Sequence, residues 1–314
     1  YGPKNNIRDV MKIIESDVSI LKQEPGVSGL YKHMETVGRV SHRSEGKPGE
    51  DPRLFLERIK NFGHWAVFDL GTVYLKFPGD YGGIDHSDKL YEILHDNKWT
   101  EDVYYQGYHH LTTTFRNILR LGIVDVMEKL WCDPVPGVHK VRITSRWICS
   151  RAIANELVRH RAFSFIQEST RFINYGREKF GSELTYIVPE WIEQFRTPKL
   201  EHLSKPDLWD ALKFKVPVVS VRNKNWKSAE DEYIWETQDK HLLPGDARGC
   251  LPGDLKTEVY MCGYLDDYYM TPPEDSPEKL GFFYLRDAPD AHPDIRILAH
   301  KLKELMDNEN KGRE

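Results

Sequence analysis

The stretch that most restricts the fold runs from Val138 to Arg161, where the hydrophobic period changes with no linker between. VHKVRITSRWI (138–148) alternates and reads as a strand. CSRAIANELVRHR (149–161) follows at once, with Ile153 and Leu157 four apart and Ala152 and Ala154 beside them. That spacing predicts a helix whose packing side carries small residues. Other strand signals stand in the second half of HWAVFDLGTVYLKF (64–77) and in the Thr run of HHLTTTFRNILRLGIVDVMEKLW (109–131), which then turns helical. Strands interleaved with helices predict an α/β chain.

At 314 residues the chain has room for one large domain with insertions or two small ones. Apolar residues at 39% and aromatics at 12% suffice for a sizeable core. Helical spacing predicts an amphipathic helix over 6–22, ended by Pro25-Gly26, and another from Leu54 to Phe62. Residues 42–53 read as a loop and 271–281 (TPPEDSPEKLG) as a surface insertion. Residues 243–270 read as a short helix, a turn and a second helix. A last amphipathic helix starts at Pro293.

Composition removes several function classes. With 44 basic against 49 acidic residues the net charge is −5, which argues against a nucleic-acid partner. No run approaches the roughly 18 apolar residues of a membrane span, and the N-terminus has no secretory apolar core. Cys132, Cys149, Cys250 and Cys262 form no CxxC pair and predict free thiols in a reducing compartment, with the cytoplasm as the expected location. His109 and His110 are adjacent on a strand and point to opposite faces, so no metal is predicted.

The densest chemistry is RHRAFSFIQESTRF (159–172), with Arg159, His160, Arg161, Gln167, Ser169 and Arg171 close together. Arginines this near one another need an anion or carboxylates among them, and the guanidinium fork suits phosphate. Ser169 and the backbone N–H groups of the same turn would complete a phosphate cradle. Phe163, Phe165 and Phe172 would wall a flat ring. Arginines paired to glutamates at a helix end are the alternative. No His–Asp pair is indicated to activate Ser169 as a nucleophile.

RHR, seven residues and then Ser, continued by Arg171 and Phe172, resembles the signature of flavin-dependent thymidylate synthases, the ThyX family. Similar segments are GRVSHRSE (38–45), GHWAVFDLGTVYL (63–75), FGSELTYIVPEW (180–191), PGDARGCLP (244–252), KTEVYMCG (256–263), FFYLR (282–286) and AHPDIR (291–296). The resemblance implies a ThyX-type α/β fold with a central mixed or antiparallel sheet and long helices. It implies an N-terminal helical extension over 1–37, a catalytic domain over 38–306 with insertions at about 78–137, 192–240 and 271–281, and a tail over 307–314. It further implies a homotetramer that methylates C5 of dUMP. Methylenetetrahydrofolate would be the carbon donor, FAD the cofactor and NADPH the reductant.

By resemblance, dUMP is held by Glu156, Arg159, Gln167, Glu168, Ser169, Thr170, Arg171 and Arg286, with Arg248 supplied by another subunit. Arg286 is the catalytic residue, drawing charge from the uracil through N3 and O4. FAD is gripped by His64, Arg159, His160, Arg161, Gln167, Tyr264, Asp266 and His292. The chain departs from the family pattern at Ile166, Gln167, Asp69-Leu70, Tyr264 and Met270, all on the flavin side. A deoxyuridylate hydroxymethylase on the same scaffold and a nucleotide-binding homologue without catalysis are the alternatives.

Overall fold

In a computed structural model, which describes residues 11–44, 50–81, 84, 87–96, 99–177, 184–271 and 280–311, the alternating stretch after Val138 becomes the middle of the main sheet. In chain order the elements are β1 (Lys12–Ile14), β2 (Asp17–Leu21), α1 (Gly26–Arg39), α2 (Pro52–Asn61), β3 (Thr72–Pro78), α3 (Ser87–Asp96), β4 (Glu101–Tyr105) and β5 (Tyr108–Thr114). Then come α4 (Phe115–Leu121), α5 (Val124–Leu130), β6 (Arg142–Ser150), α6 (Arg151–Leu157), β7 (Ser164–Gln167), β8 (Thr185–Ile187), α7 (Lys205–Leu212) and α8 (Pro217–Ile234). The chain closes with α9 (Pro244–Ala247), β9 (Lys256–Tyr264), α10 (Leu265–Tyr269), α11 (Phe282–Arg286) and α12 (Pro293–Lys311).

The main sheet has the order β2-β6-β9-β7 and is antiparallel throughout. A second antiparallel sheet, β3-β5-β4, stands beside it, and β1 pairs in parallel with β8. The fold is thus α/β with an antiparallel centre, as expected, although the strands divide into three sheets.

Two expected helices are strands. The amphipathic helix read over 6–22 is β1 and β2 in its described part; residues 6–10 lie outside the described residues. Ile13, Ile14, Val18 and Ile20 are β-branched, and the pairing of β2 along the edge of β6 outweighs their helical spacing. The second helix read within 243–270 is mostly β9, central and buried along almost its whole length. A strand covered on both faces loses its alternation, so its period is silent. The expected 271–281 insertion lies, for 272–279, outside the described residues, as do 45–49 of the expected 42–53 loop.

Three apolar clusters hold these layers together. One lies among α1, α2, α4, α5 and the β3-β5-β4 sheet, around Leu30, Met34, Phe68, Leu75 and Phe115. The second lies between the main sheet and α6, α11 and α12, around Trp147, Leu157, Phe163, Phe282 and Leu298. The third joins β8 to α7 and α8 through Tyr186, Trp209 and Trp226, three rings stacked with centroids 4.7 Å apart at each step. The segments read as insertions at 78–137 and 192–240 therefore supply much of two cores. Residues 307–311, read as tail, continue α12, and Glu309 pairs with Lys22 at 3.0 Å.

Candidate active site

Ser150 starts the site by capping α6: its Oγ accepts from the Ile153 N–H at 3.3 Å. Ile153, Ala154 and Leu157 then face the second cluster, which leaves Glu156 half-buried and Arg159 exposed. The chain leaves α6 in tight turns, Arg159 N to Glu156 O, His160 N to Leu157 O and Phe163 N to His160 O, and enters β7. β7 pairs with β9, and the Phe163 ring lies over Gly263, where a Cβ would stand 2.3 Å from it.

Arg286 arrives from the other side. α11 is anchored by Phe282 and Phe283, both buried, and starts at Gly281, whose backbone runs so close to Met270 that a Cβ would meet its carbonyl oxygen at 2.5 Å. At the end of this short helix Arg286 Nε donates to His160 Nε2 at 2.9 Å, and one NH1 hydrogen goes to Glu156 Oε2 at 3.0 Å. Two of the five guanidinium N–H groups are thereby fixed, which orients the plane and leaves three donors for a ligand. The Phe282 ring meets the His160 imidazole edge-on at 5.1 Å.

The bond from Arg286 settles the tautomer: Nε2 of His160 is the acceptor, so the ring is neutral with its proton on Nδ1. Burial, then the neighbouring Arg286 charge, brings its pKa down to about 4. Burial, with the Arg142 charge, holds His33 at about 4 as well. Both histidines titrate near 6.5 when unfolded, so between about pH 6.5 and 4 the unfolded chain takes up protons that the folded chain refuses. Stability is whole above this window and is lost as pH falls through it. Thermal unfolding from pH 7.5 to 4.5 is expected to show a Tm that falls with pH by a few degrees or more. His160→Gln, which keeps an acceptor for Arg286 but cannot titrate, should flatten the slope; an unchanged slope would deny His160 its share.

A cavity of about 480 Å³ opens on the same turn, lined by Arg159–Phe163, Asp267, Met270 and Leu280. Arg159 and Arg161 are exposed and pair with no carboxylate among the described residues. Burial raises the Asp267 pKa.

Beyond β7 the chain turns through Gln167–Phe172. Gln167 Nε2 donates to Thr257 Oγ1 at 3.4 Å, and Thr170 is half-buried. Glu168 points inward: its carboxylate, fully buried, takes Lys256 at 2.9 Å, Arg43 at 3.0 Å and the Tyr175 hydroxyl at 2.8 Å. Its backbone N–H donates to Glu258 O at 2.8 Å, so Glu168 holds the turn rather than presenting a side chain to a ligand. Ser169 N donates to Ser41 O at 3.1 Å, and Ser169 Oγ accepts from Arg171 N at 3.3 Å. Arg171 and Phe172 are exposed, and Gly245, in α9 just before Arg248, would carry a Cβ 3.8 Å from Arg171 O. Arg248 itself is exposed.

His64 lies in a second cavity, of about 570 Å³, with His42, Phe172, Arg39 and Arg58. There the His42 ring stacks on Phe172 at 4.5 Å and lies parallel to His64 at 6.1 Å. Burial, and then His64, lower the His42 pKa.

Three expected flavin contacts have other employment. The Tyr264 side chain is buried, and its hydroxyl is bonded to Trp99 O at 3.0 Å and Thr112 O at 2.9 Å. Asp266 is exposed and pairs with Lys140 at 2.7 Å; its neighbour Asp267 is the carboxylate that lines the arginine cavity. His292 is exposed and accepts from Asp294 N at 3.3 Å through Nδ1 at the start of α12. The structure thus brings together Glu156, Arg159, His160, Arg161 and Arg286, and separately His64 with Phe172. Sequence reasoning missed Asp267, His42, Arg43 and Lys256; the adjacency of Asp267 to Asp266 was the only signal for the first. Among the described residues no three His, Cys, Asp or Glu side chains form a metal-binding group, and no helix is long and apolar enough to cross a membrane.

A family model described as Thy1, thymidylate synthase complementing protein, matches residues 138–309, from the approach to β6 into α12. A flavin-dependent thymidylate synthase of Pyrococcus furiosus is 29% identical over 161 residues, 50% of this chain and 51% of the relative. The chain therefore spans about half the length of the curated relative it matches. Two crystal structures of the UMP/dUMP methylase PolB from Streptomyces cacaoi, with 5-Br UMP and 5-Br dUMP, align with 94% of this chain at 14% identity. They are covered to 90% and 91%, with TM-scores of 0.39 and 0.38. With more than half of its residues matched, and with β6, α6, the arginine turn, β9 and α11 all inside the match, the chain belongs to the Thy1 family of thymidylate synthase complementing proteins.

Proposed function

We propose that the chain is a flavin-dependent thymidylate synthase, a methyltransferase that converts dUMP to dTMP with methylenetetrahydrofolate, FAD and NADPH. The observation that carries this reading is Arg286, fixed by Glu156 and His160 with three donors to spare, beside a cavity rimmed by two arginines that pair with no carboxylate among the described residues. C5 of uracil is a poor nucleophile until the ring carries enolate-like negative charge on O4, which its attack on carbon then discharges. A pre-oriented guanidinium meets that charge without reorganising. Glu156 and His160 set its plane, and His160, neutral, adds no competing charge.

The residues present fit a flavin in part. Arg159 and Arg161, without a carboxylate partner among the described residues, are cations for a diphosphate, and Phe163 offers an apolar wall; the Tyr264 hydroxyl and Asp266 already have partners within the chain. When bound, the flavin supplies hydride chemistry to the one-carbon unit. The Ser169–Arg171 turn, with an exposed Arg171 and a serine hydroxyl, suits the nucleotide phosphate. Arg248, exposed and without a carboxylate partner among the described residues, is free to reach the nucleotide of a neighbouring subunit in a homotetramer. The catalytic unit proposed is 38–306, although β2 and α1 from before residue 38 are built into its sheet and core.

The test is the purified protein itself. Flavin absorption, and dTMP formed from dUMP, methylenetetrahydrofolate and NADPH, are expected; product mass separates a methyl from a hydroxymethyl group. A colourless protein that binds dUMP without turnover would overturn the reading. Ser169→Ala should keep measurable turnover at saturating dUMP with a higher KM, since a phosphate contact can be lost where a covalent nucleophile cannot. Complete loss of turnover in a folded, yellow protein would make Ser169 a nucleophile.

A further inference from the structure

Three consecutive residues, Ser41, His42 and Arg43, reach the Gln167–Phe172 turn from a distant part of the chain, and each holds it differently. Ser41 O accepts the Ser169 N–H at 3.1 Å. The His42 ring stacks on Phe172 at 4.5 Å. Arg43 NH2 bridges both oxygens of the buried Glu168 carboxylate, at 3.0 and 3.3 Å, and its guanidinium carbon lies 5.4 Å from the centre of the Tyr175 ring. The Tyr175 hydroxyl and Lys256 take one of those oxygens each from within the fold. Arg43 does this from a left-handed backbone, φ 44° and ψ 46°, where the short turn Val40–His42 ends. Glycine enters that region freely and other residues at a cost. The bond from Arg43 N to Val40 O, at 3.2 Å, and the side-chain ties hold the arginine there.

The turn has little backbone left for an anion. The Glu168 N–H goes to Glu258 O, the Ser169 N–H to Ser41 O and the Arg171 N–H to Ser169 Oγ, while those of Phe172 and Ile173 both go to Ser169 O. A phosphate is therefore met chiefly by side chains, the Ser169 hydroxyl and the exposed Arg171 guanidinium. Side chains on a turn are placed only as well as the turn itself, and placement before binding is what turns contacts into affinity.

We propose that Arg43 is the positioning residue for the phosphate of the nucleotide. By tying the 41–43 segment to Glu168 it fixes Ser169 and Arg171 where a 5′-phosphate meets them, and so sets the preference for a nucleotide over its nucleoside. Arg43 acts through Glu168 and touches no substrate atom. The inference rests on the dUMP reading above. None of these ties involves Arg286, Glu156 or His160, so recognition of the uracil end does not depend on them.

The test compares dUMP with deoxyuridine, which lacks the phosphate, by calorimetric titration into the intact protein, with millimolar ligand where binding is weak. Arg43→Gly removes the guanidinium and keeps the left-handed turn. It is expected to weaken dUMP about tenfold or more and to leave deoxyuridine within about twofold. Arg43→Lys keeps the charge but loses the planar group that spans both Glu168 oxygens, and should weaken dUMP several-fold. Unchanged dUMP affinity in Arg43→Gly would overturn the proposal. So would an equal loss for both ligands, the mark of a general loosening. Parent affinity in Arg43→Lys would overturn it too, since charge alone would then be at work. A parent protein that binds dUMP no better than deoxyuridine would instead remove the phosphate reading of the turn, and the proposal with it.

Discussion

Replacing Arg286 with lysine is expected to cut turnover about a hundredfold or more while dUMP affinity stays within about tenfold of the parent. The charge survives, but the Nε–H that holds His160 and the planar fork do not. The lysine ammonium has three donors on a loose stem, and Glu156 competes for it at the position it takes from Arg286 NH1. What is lost is an interaction made chiefly when charge reaches the uracil oxygen, so the rate falls more than ground-state binding. Reduction by NADPH does not involve the uracil and should proceed at the parent rate. Stopped-flow measurement of the two half-reactions checks this. Failed reduction with intact reoxidation by dUMP and folate would assign Arg286 to the cofactor.

The largest effect on stability is expected at Glu168. Glu168→Ala leaves Lys256, nearly buried, and Arg43 as neighbouring cations without their shared carboxylate. It also leaves the Tyr175 hydroxyl, whose pKa burial drives well up, without its acceptor. Removing one member of a buried ion pair costs roughly 3–5 kcal/mol, a fall in Tm on the order of 10 °C for a chain of this size. Glu168→Gln should recover only the part that a neutral acceptor for Tyr175 supplies. Glu92→Gln is the control, with a smaller loss because Glu92 and its partner Arg120 are both about half exposed in their side chains. Calorimetry that finds Glu168→Ala as stable as the control would remove the cluster from the account of how the Ser169 turn is held.

The arginine turn was legible because its chemistry is local: Arg159, His160, Arg161 and Arg171 stand within one short segment, and their mutual repulsion asks for an anion. α6 was legible because one of its faces is buried and the other is not. β9 was not, because a strand buried on both faces shows no period. Tyr264 and Asp266 were set on the flavin by the resemblance alone. As the last residue of β9, Tyr264 stands opposite Arg142 and sends its hydroxyl to β5, and α10, which follows, brings Asp267 to the cavity. The partners of Glu168 were invisible for another reason: Arg43 lies 125 residues before it and Lys256 88 after it, and no local pattern records an ion pair closed over such distances.

The order of strands in the main sheet bears on when the protein can fold. β2 comes early among the described elements, β6 and β9 later, and α12, which packs on β2, is the last of them. Asp17 of β2 is tied to Lys301 and Lys22, just after β2, to Glu309, so an early element and the last described one close on each other. Such contacts pay their loop-closure entropy late, and contact order this high slows folding. The arginine turn thus emerges into a chain whose sheet still lacks its central strand β9. Until β9 has emerged, the nascent protein carries unpaired edges on β6 and β7, the state in which association with chaperones or with other unfinished chains competes with folding.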